Sequence, residues 1–294
     1  MNILITGVTE THINHPNRAN STKFASIPEL LAKAFTSMGY NVEHIPVNEN
    51  TNLKAFDKVF LFLYPLDHNA VHPRGVELVL KERHDAYICL DDWAFQKVLP
   101  TWSHIIKPDD LCEHKWLVPL FPWGDPTKMG LDVASIISWD PSPLYEMPPV
   151  HKLAWQQRKT EWYNASLSKD AHEWTMAQNL TWPVKAVGGK ALGQPRMLES
   201  DIVWEYGSYK GVLCPTYEHA GCGWWRIRYL HAVGAGAILG GSPKELAMID
   251  KSYGYTLQEI EQMDDAERQI IAYEQSTSLR TATLDETLKK LGTL

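Results

Sequence analysis

What constrains this chain most is a repeated alternation of short, almost unbroken apolar runs with stretches of helical periodicity. The N-terminal Met-Asn-Ile-Leu-Ile-Thr-Gly reads as a strand that stops on Gly7, and the polar stretch 8–22, rich in His, Asn and Thr, reads as a loop. Ser21 or Thr22 can cap a helix through Met38 with Phe24, Ile27, Leu30, Leu31, Ala34 and Phe35 as its apolar positions. Gly39 ends it and Asn-Val-Glu-His-Ile-Pro-Val opens a strand. A strand over 58–64 (KVFLFLY), a helix over 75–83 and a strand over 85–90 (DAYICL) follow. Such strands lack in-and-out alternation, so both faces are buried, and helices between them imply a parallel sheet covered on both sides.

The same pattern resumes in the second half of the chain. Residues 100–149 are dense in Pro and Trp, which suits crossing strands and a linker better than helices. Beyond them we expect a helical stretch from His151, a strand over 160–167, a helix over 170–179 and a strand over 182–187 closed by Gly188-Gly189. A helix over 199–206, a strand over 211–214, a helix from about Trp224 into Val233, a strand in Ala-Gly-Ala-Ile-Leu-Gly-Gly and helices from Leu257 onward complete the reading. The expected fold class is α/β with two Rossmann-like lobes and a cleft between them. The expected domains are 1–150, 151–255 and a helical segment, 256–294, packing back on the N-terminal lobe.

Composition narrows the partners. With 28 Lys and Arg against 35 Asp and Glu the net charge is −7, so no global basic field attracts nucleic acid or an anionic membrane, and such a partner needs a local patch. No run approaches the roughly 18 apolar residues of a membrane helix, and the N-terminus has no secretory pattern, so the expectation is a cytoplasmic protein without a membrane partner. The three Asn-x-Ser/Thr triplets, at Asn20, Asn164 and Asn179, then carry no glycan. Cys89, Cys112, Cys214 and Cys222 form no C-x-x-C pair and read as reduced thiols. No metal-ligand spacing stands out, and the chain contains no Asp-x-Asp triplet, which argues against a carboxylate-held divalent cation gripping a diphosphate.

The segment from Gly221 to Gly241 is the best-marked binding element. Tyr217, Glu218 and the turn around Gly221 and Gly223 precede a helix whose free first-turn N–H groups and dipole favour an anion. Arg226 and Arg228 supply guanidinium forks, each charge-assisted contact worth roughly 1.5 to 3 kcal/mol. Helical geometry sets the two about 200° apart, so they do not share a face. Arg228 lines up with Trp224, Trp225 and His231 and is the preferred phosphate ligand. The competing reading is an amphipathic helix whose arginines pair with surface carboxylates.

Asp91 and Asp92 follow the 85–90 strand, where a carboxylate can serve as general base, or as a plain turn residue or helix cap. Ser166 and Gly188 follow two strands of the second lobe and can approach a phosphate. Gly7 does not open a dinucleotide fingerprint, because 5–15 lacks G-x-G-x-x-G, and the 188–196 stretch is not a P-loop. His12 and His15 read as loop residues rather than metal ligands.

In its order of elements the chain resembles the GT-B glycosyltransferases, and among them the phage DNA β-glucosyltransferases that modify hydroxymethylated cytosine. STKFASIPELLAKAFTSMGYNVEHIPV is similar to that family's first helix and second strand, and DAYICLDDWAF to the strand ending in its catalytic aspartate, here Asp91. KTEWYNASL resembles its first donor-lobe strand, with Ser166 as the small phosphate-contacting residue, and WPVKAVGG the next strand with Gly188. RIRYLHAVGAGAILGG resembles the donor-binding helix and strand, with the phosphate-binding arginine on Arg228. One departure stands out: a Glu that in many GT-B enzymes holds the ribose is replaced by His231, three residues after Arg228, so that either Glu218 substitutes for it or the nucleotide is gripped differently.

The resemblance implies a metal-independent hexosyltransferase with a UDP-sugar donor and no further cofactor. It also implies an acceptor hydroxyl on modified phage DNA or on a small molecule, and, for a phage-encoded chain, the host cytoplasm. A local patch of Lys152, Arg158 and Lys159 beside Trp155 could meet DNA, against the alternative of a solvated helix face. The alternative function is a nucleotide or nucleotide-sugar binding protein without catalysis.

Overall fold

The computed structural model describes residues 1–7, 27–63, 73–90, 114–119, 136–139, 144, 153–164, 169–187, 199–214, 230–241, 243–246, 251–281 and 284–290. They fall into two compact units, one built from the described residues up to 144 and from 284 onward, the other from those between 153 and 281.

The first unit is a parallel sheet of six strands, β1 (Asn2–Thr6), β2 (Asn41–His44), β3 (Lys58–Leu63), β4 (Tyr87–Leu90), β5 (Lys115–Pro119) and β6 (Ile136–Trp139), in the order β2-β1-β3-β4-β5-β6. Every residue from Val59 to Leu63 is at most 1% exposed, so β3 is covered on both faces, as its unbroken apolar sequence predicts. Helix α1 (Ile27–Ser37) buries Ile27, Leu31 and Phe35, spaced four apart, on one stripe. Gly39, at φ +85°, closes it in a Schellman motif: Gly39 N–H donates to Thr36 O at 3.0 Å, Tyr40 N–H to Phe35 O at 3.1 Å, and the two rings meet edge to face. After α2 (Pro73–Glu82), Arg83 is buried as a clasp. Its guanidinium donates to Leu53 O and Phe56 O and forks onto both oxygens of Asp85, which holds that carboxyl below its ordinary range.

Strands β5 and β6 extend the main sheet, where the Pro- and Trp-rich stretch reads as crossing strands and a linker. Trp116 and Leu117 are fully buried in β5, and Pro119 ends it, so this proline closes a short strand rather than interrupting it.

The second unit is a four-stranded parallel sheet, β7 (Lys159–Asn164), β8 (Val184–Ala186), β9 (Tyr209–Leu213) and β10 (Ile238–Gly240), in the order β10-β9-β7-β8. Around it lie α3 (Lys169–Ala177), α4 (Glu199–Tyr206), α5 (230–234), α6 (Pro243–Leu246), α7 (Leu257–Gln262) and α8 (Asp265–Thr281). Its core centres on Trp162, whose ring occupies the space left by two glycines: a Cβ on Gly211 would come within 2.4 Å of that ring and one on Gly240 within 2.7 Å. The last helix, α9 (Leu284–Lys290), places Leu288 in the core of the first unit.

Two expectations are corrected here. No helix begins at His151 among the described residues: a single 3₁₀ turn, Trp155–Gln157, passes at Arg158 into extended backbone and then β7. Nor are Arg158 and Trp155 a surface patch. Arg158 is 8% exposed and Trp155 5% exposed. The guanidinium donates to Gly236 O at 2.6 Å, beyond the end of α5, and lies over the Trp155 ring, so a cation expected in solvent caps a helix's carbonyl end instead. Lys159 keeps its exposure but lies over the Tyr209 ring. Lys152 is outside the described residues.

Candidate functional site

In each unit the chain order produces one place where neighbouring strands send their connections to opposite sides. From β1 the chain steps outward to β2 and returns across to β3. From β7 it steps to β8 and returns across to β9. The switch points therefore lie between β1 and β3 and between β7 and β9, and open α/β sheets bind ligands beyond the carboxyl ends of the strands at such points.

In the second unit the strands that precede the sequence-predicted ligand residues all end at that edge. β7 ends at Asn164, two residues before Ser166; β8 gives way to Val187, the residue before Gly188; β9 ends at Leu213, and the buried Cys214 leads toward Tyr217 and Glu218. The connection from β9 to β10 carries Gly223, Arg226 and Arg228 and re-enters the described structure in α5. Ser166, Gly188, Tyr217, Glu218, Gly223, Arg226 and Arg228 themselves lie outside the described residues. What the structure contributes is the common departure edge of the strands that lead to them.

His231 is described. It sits in the last turn of α5, where Ala235 N–H donates to His231 O at 3.0 Å. Gly236, at φ +79°, closes the helix in a second Schellman motif, with Ala237 N–H on Ala232 O at 3.0 Å and Gly236 N–H on Val233 O at 2.9 Å. Burial pushes the imidazole down to about 4, so His231 is neutral at neutral pH. A neutral imidazole can exchange hydrogen bonds with a hydroxyl but brings no charge to a phosphate.

In the first unit β1 ends at Gly7, at φ +93°, so close to β3 that a Cβ would stand 2.0 Å from Phe62 O. The glycine marks a backbone approach at the β1/β3 switch rather than a nucleotide fingerprint. β4, paired with β3 through Leu63 and Leu90, ends on the residue before Asp91. Asp91 and Asp92 lie outside the described residues, as do His12 and His15.

Sequence reasoning missed the polar groups that stiffen this sheet. Asn164 and Thr175, both buried, join β7 to α3 at 2.9 Å. Glu261 accepts from Trp162 Nε1, Thr181 N–H, Thr181 Oγ1 and Trp182 N–H, all between 2.7 and 2.9 Å, and so ties α7 to the core of the sheet. Burial alone would raise its pKa, yet the four donors outweigh it and hold the carboxyl below its ordinary range. The only signal for Asn164 was an Asn closing an apolar strand. Glu261 gave none, because its partners lie about eighty residues or more away in sequence.

No family model and no curated protein matches this sequence. Solved structures do match its fold. A T4 phage β-glucosyltransferase bound to its UDP-glucose substrate is 12% identical over 99% of this chain and 97% of its own, with a TM-score of 0.54. An α-glucosyltransferase in complex with UDP-glucose and DNA containing an abasic site is 8% identical over 99% of this chain and 98% of its own, also at 0.54. A further α-glucosyltransferase structure, with UDP and a 13-mer DNA containing an HMU base, matches at 0.52 and 8% identity over the same shares. The chain thus has the α/β fold of two Rossmann-like lobes, of GT-B type, that these glucosyltransferases share.

Proposed function

We propose that the protein transfers a sugar, glucose in the first instance, from a UDP-sugar to the hydroxyl of a modified base in DNA. The observation that carries this reading is the end-to-end match of the fold to enzymes solved with UDP-glucose and with DNA. The strand exits leading to Ser166, Gly188 and the 217–228 segment all leave one sheet edge at its switch point, which supports a nucleotide there.

In the proposed mechanism Asp91, with Asp92 as the alternative, accepts the proton of the acceptor hydroxyl as its oxygen attacks the anomeric carbon. The bond from that carbon to the diphosphate oxygen breaks, and UDP leaves with the electron pair. Arg228, the backbone N–H groups of the turn at Gly223 and the Ser166 hydroxyl stabilise the charge that develops on the leaving diphosphate. Arg226, Tyr217, Glu218 and His231 complete the donor site, His231 as a neutral partner for a hydroxyl. The absence of an Asp-x-Asp triplet supports a metal-independent grip.

Transfer of label from UDP-[¹⁴C]glucose to duplex DNA containing hydroxymethylated bases tests the reading, with unmodified DNA as control. One T4 phage neighbour was solved with UDP and Mn²⁺, so parallel reactions contain EDTA or added Mn²⁺. Label should enter only modified DNA and should do so in EDTA. Donor binding without transfer to any acceptor would favour a binding protein, and activity abolished by EDTA would replace the metal-independent grip.

A further inference from the structure

Lys58, Tyr87 and Lys115 are the first residues of β3, β4 and β5, three neighbouring strands of the first sheet. The register sets both Phe60 and Lys115 opposite Tyr87, so Lys58, two residues before Phe60, projects from the same face. The Tyr87 residue is 3% exposed, and its ring stacks on Phe60 with centroids 5.0 Å apart and planes at 11°. Lys58 Nζ and Lys115 Nζ each lie 5.6 Å from the centre of that same ring.

One ammonium over an aromatic face is ordinary packing. Two that converge on one ring repel each other, and the ring offers no oxygen to their N–H groups. Neither lysine forms an ion pair among the described residues. The carboxylates beside Lys58 are engaged elsewhere: Arg83 forks onto both oxygens of Asp85, and Asp57 accepts the Asn2 N–H at 2.7 Å. The Tyr87 hydroxyl makes no hydrogen bond among the described residues, although the residue is almost wholly buried. In a chain of net charge −7, this strand edge gathers donors without an acceptor.

We propose that Lys58, Tyr87 and Lys115 form a binding site for a phosphate group at the amino edge of the first sheet. A tetrahedral oxyanion has enough oxygens to accept from both ammoniums and from the phenol, and its charge offsets their mutual repulsion. The site lies at the opposite end of β4 from the exit that leads to Asp91, so it is separate from the proposed transfer chemistry and does not rest on it.

Free phosphate and the phosphodiester of DNA share this chemistry, and the test separates them. Sodium phosphate is titrated calorimetrically at constant ionic strength, with sodium chloride as blank, into the wild-type protein, Lys58→Met, Lys115→Met and Tyr87→Phe. Lys33→Met, at an exposed position of α1, controls for net charge. Phosphate should bind the wild type and Lys33→Met alike, and each of the other three at least about tenfold more weakly, as expected for the loss of one donor to a charged group. Should a lysine variant not fold, Tyr87→Phe, which keeps the ring stacked on Phe60, carries the comparison. An unmodified DNA duplex titrated in parallel assigns the source: if the same variants weaken it, the site holds a phosphodiester, and if they do not, free phosphate. No phosphate binding by the wild type, equal binding by Tyr87→Phe and wild type, or an equal loss in Lys33→Met would each overturn the site. None of these outcomes bears on the UDP-glucose reading.

Discussion

At the scale of single residues, the sharpest predictions concern Gly7, Glu261 and the proposed catalytic pair. Gly7 combines a left-handed φ with a Cβ position 2.0 Å from a backbone carbonyl, which no side-chain rotation relieves. Gly7→Ala should therefore cost the first unit more than about 2 kcal/mol, read as a lower urea midpoint. Glu261→Gln offers an amide nitrogen where one carboxylate oxygen accepted two donors, and should cost roughly 2 kcal/mol at neutral pH. The pH dependence has a definite sign. The folded Glu261 carboxyl is held below its unfolded value of about 4.3, so its stabilisation is present above that value and is lost as the pH falls through the folded one. The stability gap between wild type and Glu261→Gln should narrow on acidification from pH 6 to pH 3. For the proposed chemistry, Asp91→Asn should lower turnover by roughly 100-fold or more with donor affinity kept, while Arg228→Ala should raise the donor Kd. Unchanged turnover in the first variant removes Asp91 from the mechanism.

At the scale of elements, the second sheet is organised around one ring. Trp162 of β7 lies against Gly211 of β9 and Gly240 of β10, so three strands are spaced by a residue and the two absences that accommodate it. Gly211→Ala should destabilise the second unit by about 1 to 3 kcal/mol, since the Cβ meets a rigid indole rather than a flexible chain end. In a Trp162→Phe background the same substitution should cost less, and a double-mutant cycle by chemical denaturation measures the difference. Helix boundaries were legible wherever a local motif set them: Gly39 ends α1 because a left-handed C-cap needs no distant partner. The segment from His151 was misread as helix for the complementary reason. Trp155 and Arg158 are drawn into the second unit by Gly236 and Lys210, whose positions no local pattern encodes.

At the scale of the whole molecule, the chain is acidic, with a net charge of −7, and it forms two units with separate cores. Two thermal transitions are expected, and UDP-glucose should raise the one belonging to the second unit. At 100 times Kd a bound donor adds about 2.7 kcal/mol, several degrees for a unit of this size. A differential scanning calorimetry trace with no shift for any UDP-sugar would sink the donor assignment. The acidic balance also means that a DNA acceptor must be held by local groups, and the described structure removes Arg158 and Trp155 from that role, since both are buried.

The sequence by itself determined the class of fold. Apolar runs of four to six residues without alternation, bounded by Gly or polar residues, suit strands buried on both faces, and helical stretches between them suit parallel pairing, an inference that needs neighbours in the chain and no others. It also marked the loops at strand exits, because Gly, Ser, Asp and Arg stand out after apolar runs. Tertiary structure alone decided which strands lie side by side, and hence that the exits of β7 and β9 meet at a switch point. It alone decided that Arg158 is a buried helix cap, that Glu261 is a four-donor hub, and that Asn164 reaches Thr175. Each of those outcomes is a pairing of polar groups across the fold. A polar residue's sequence neighbourhood records what it could bond to, whereas burial beside one particular partner decides what it does.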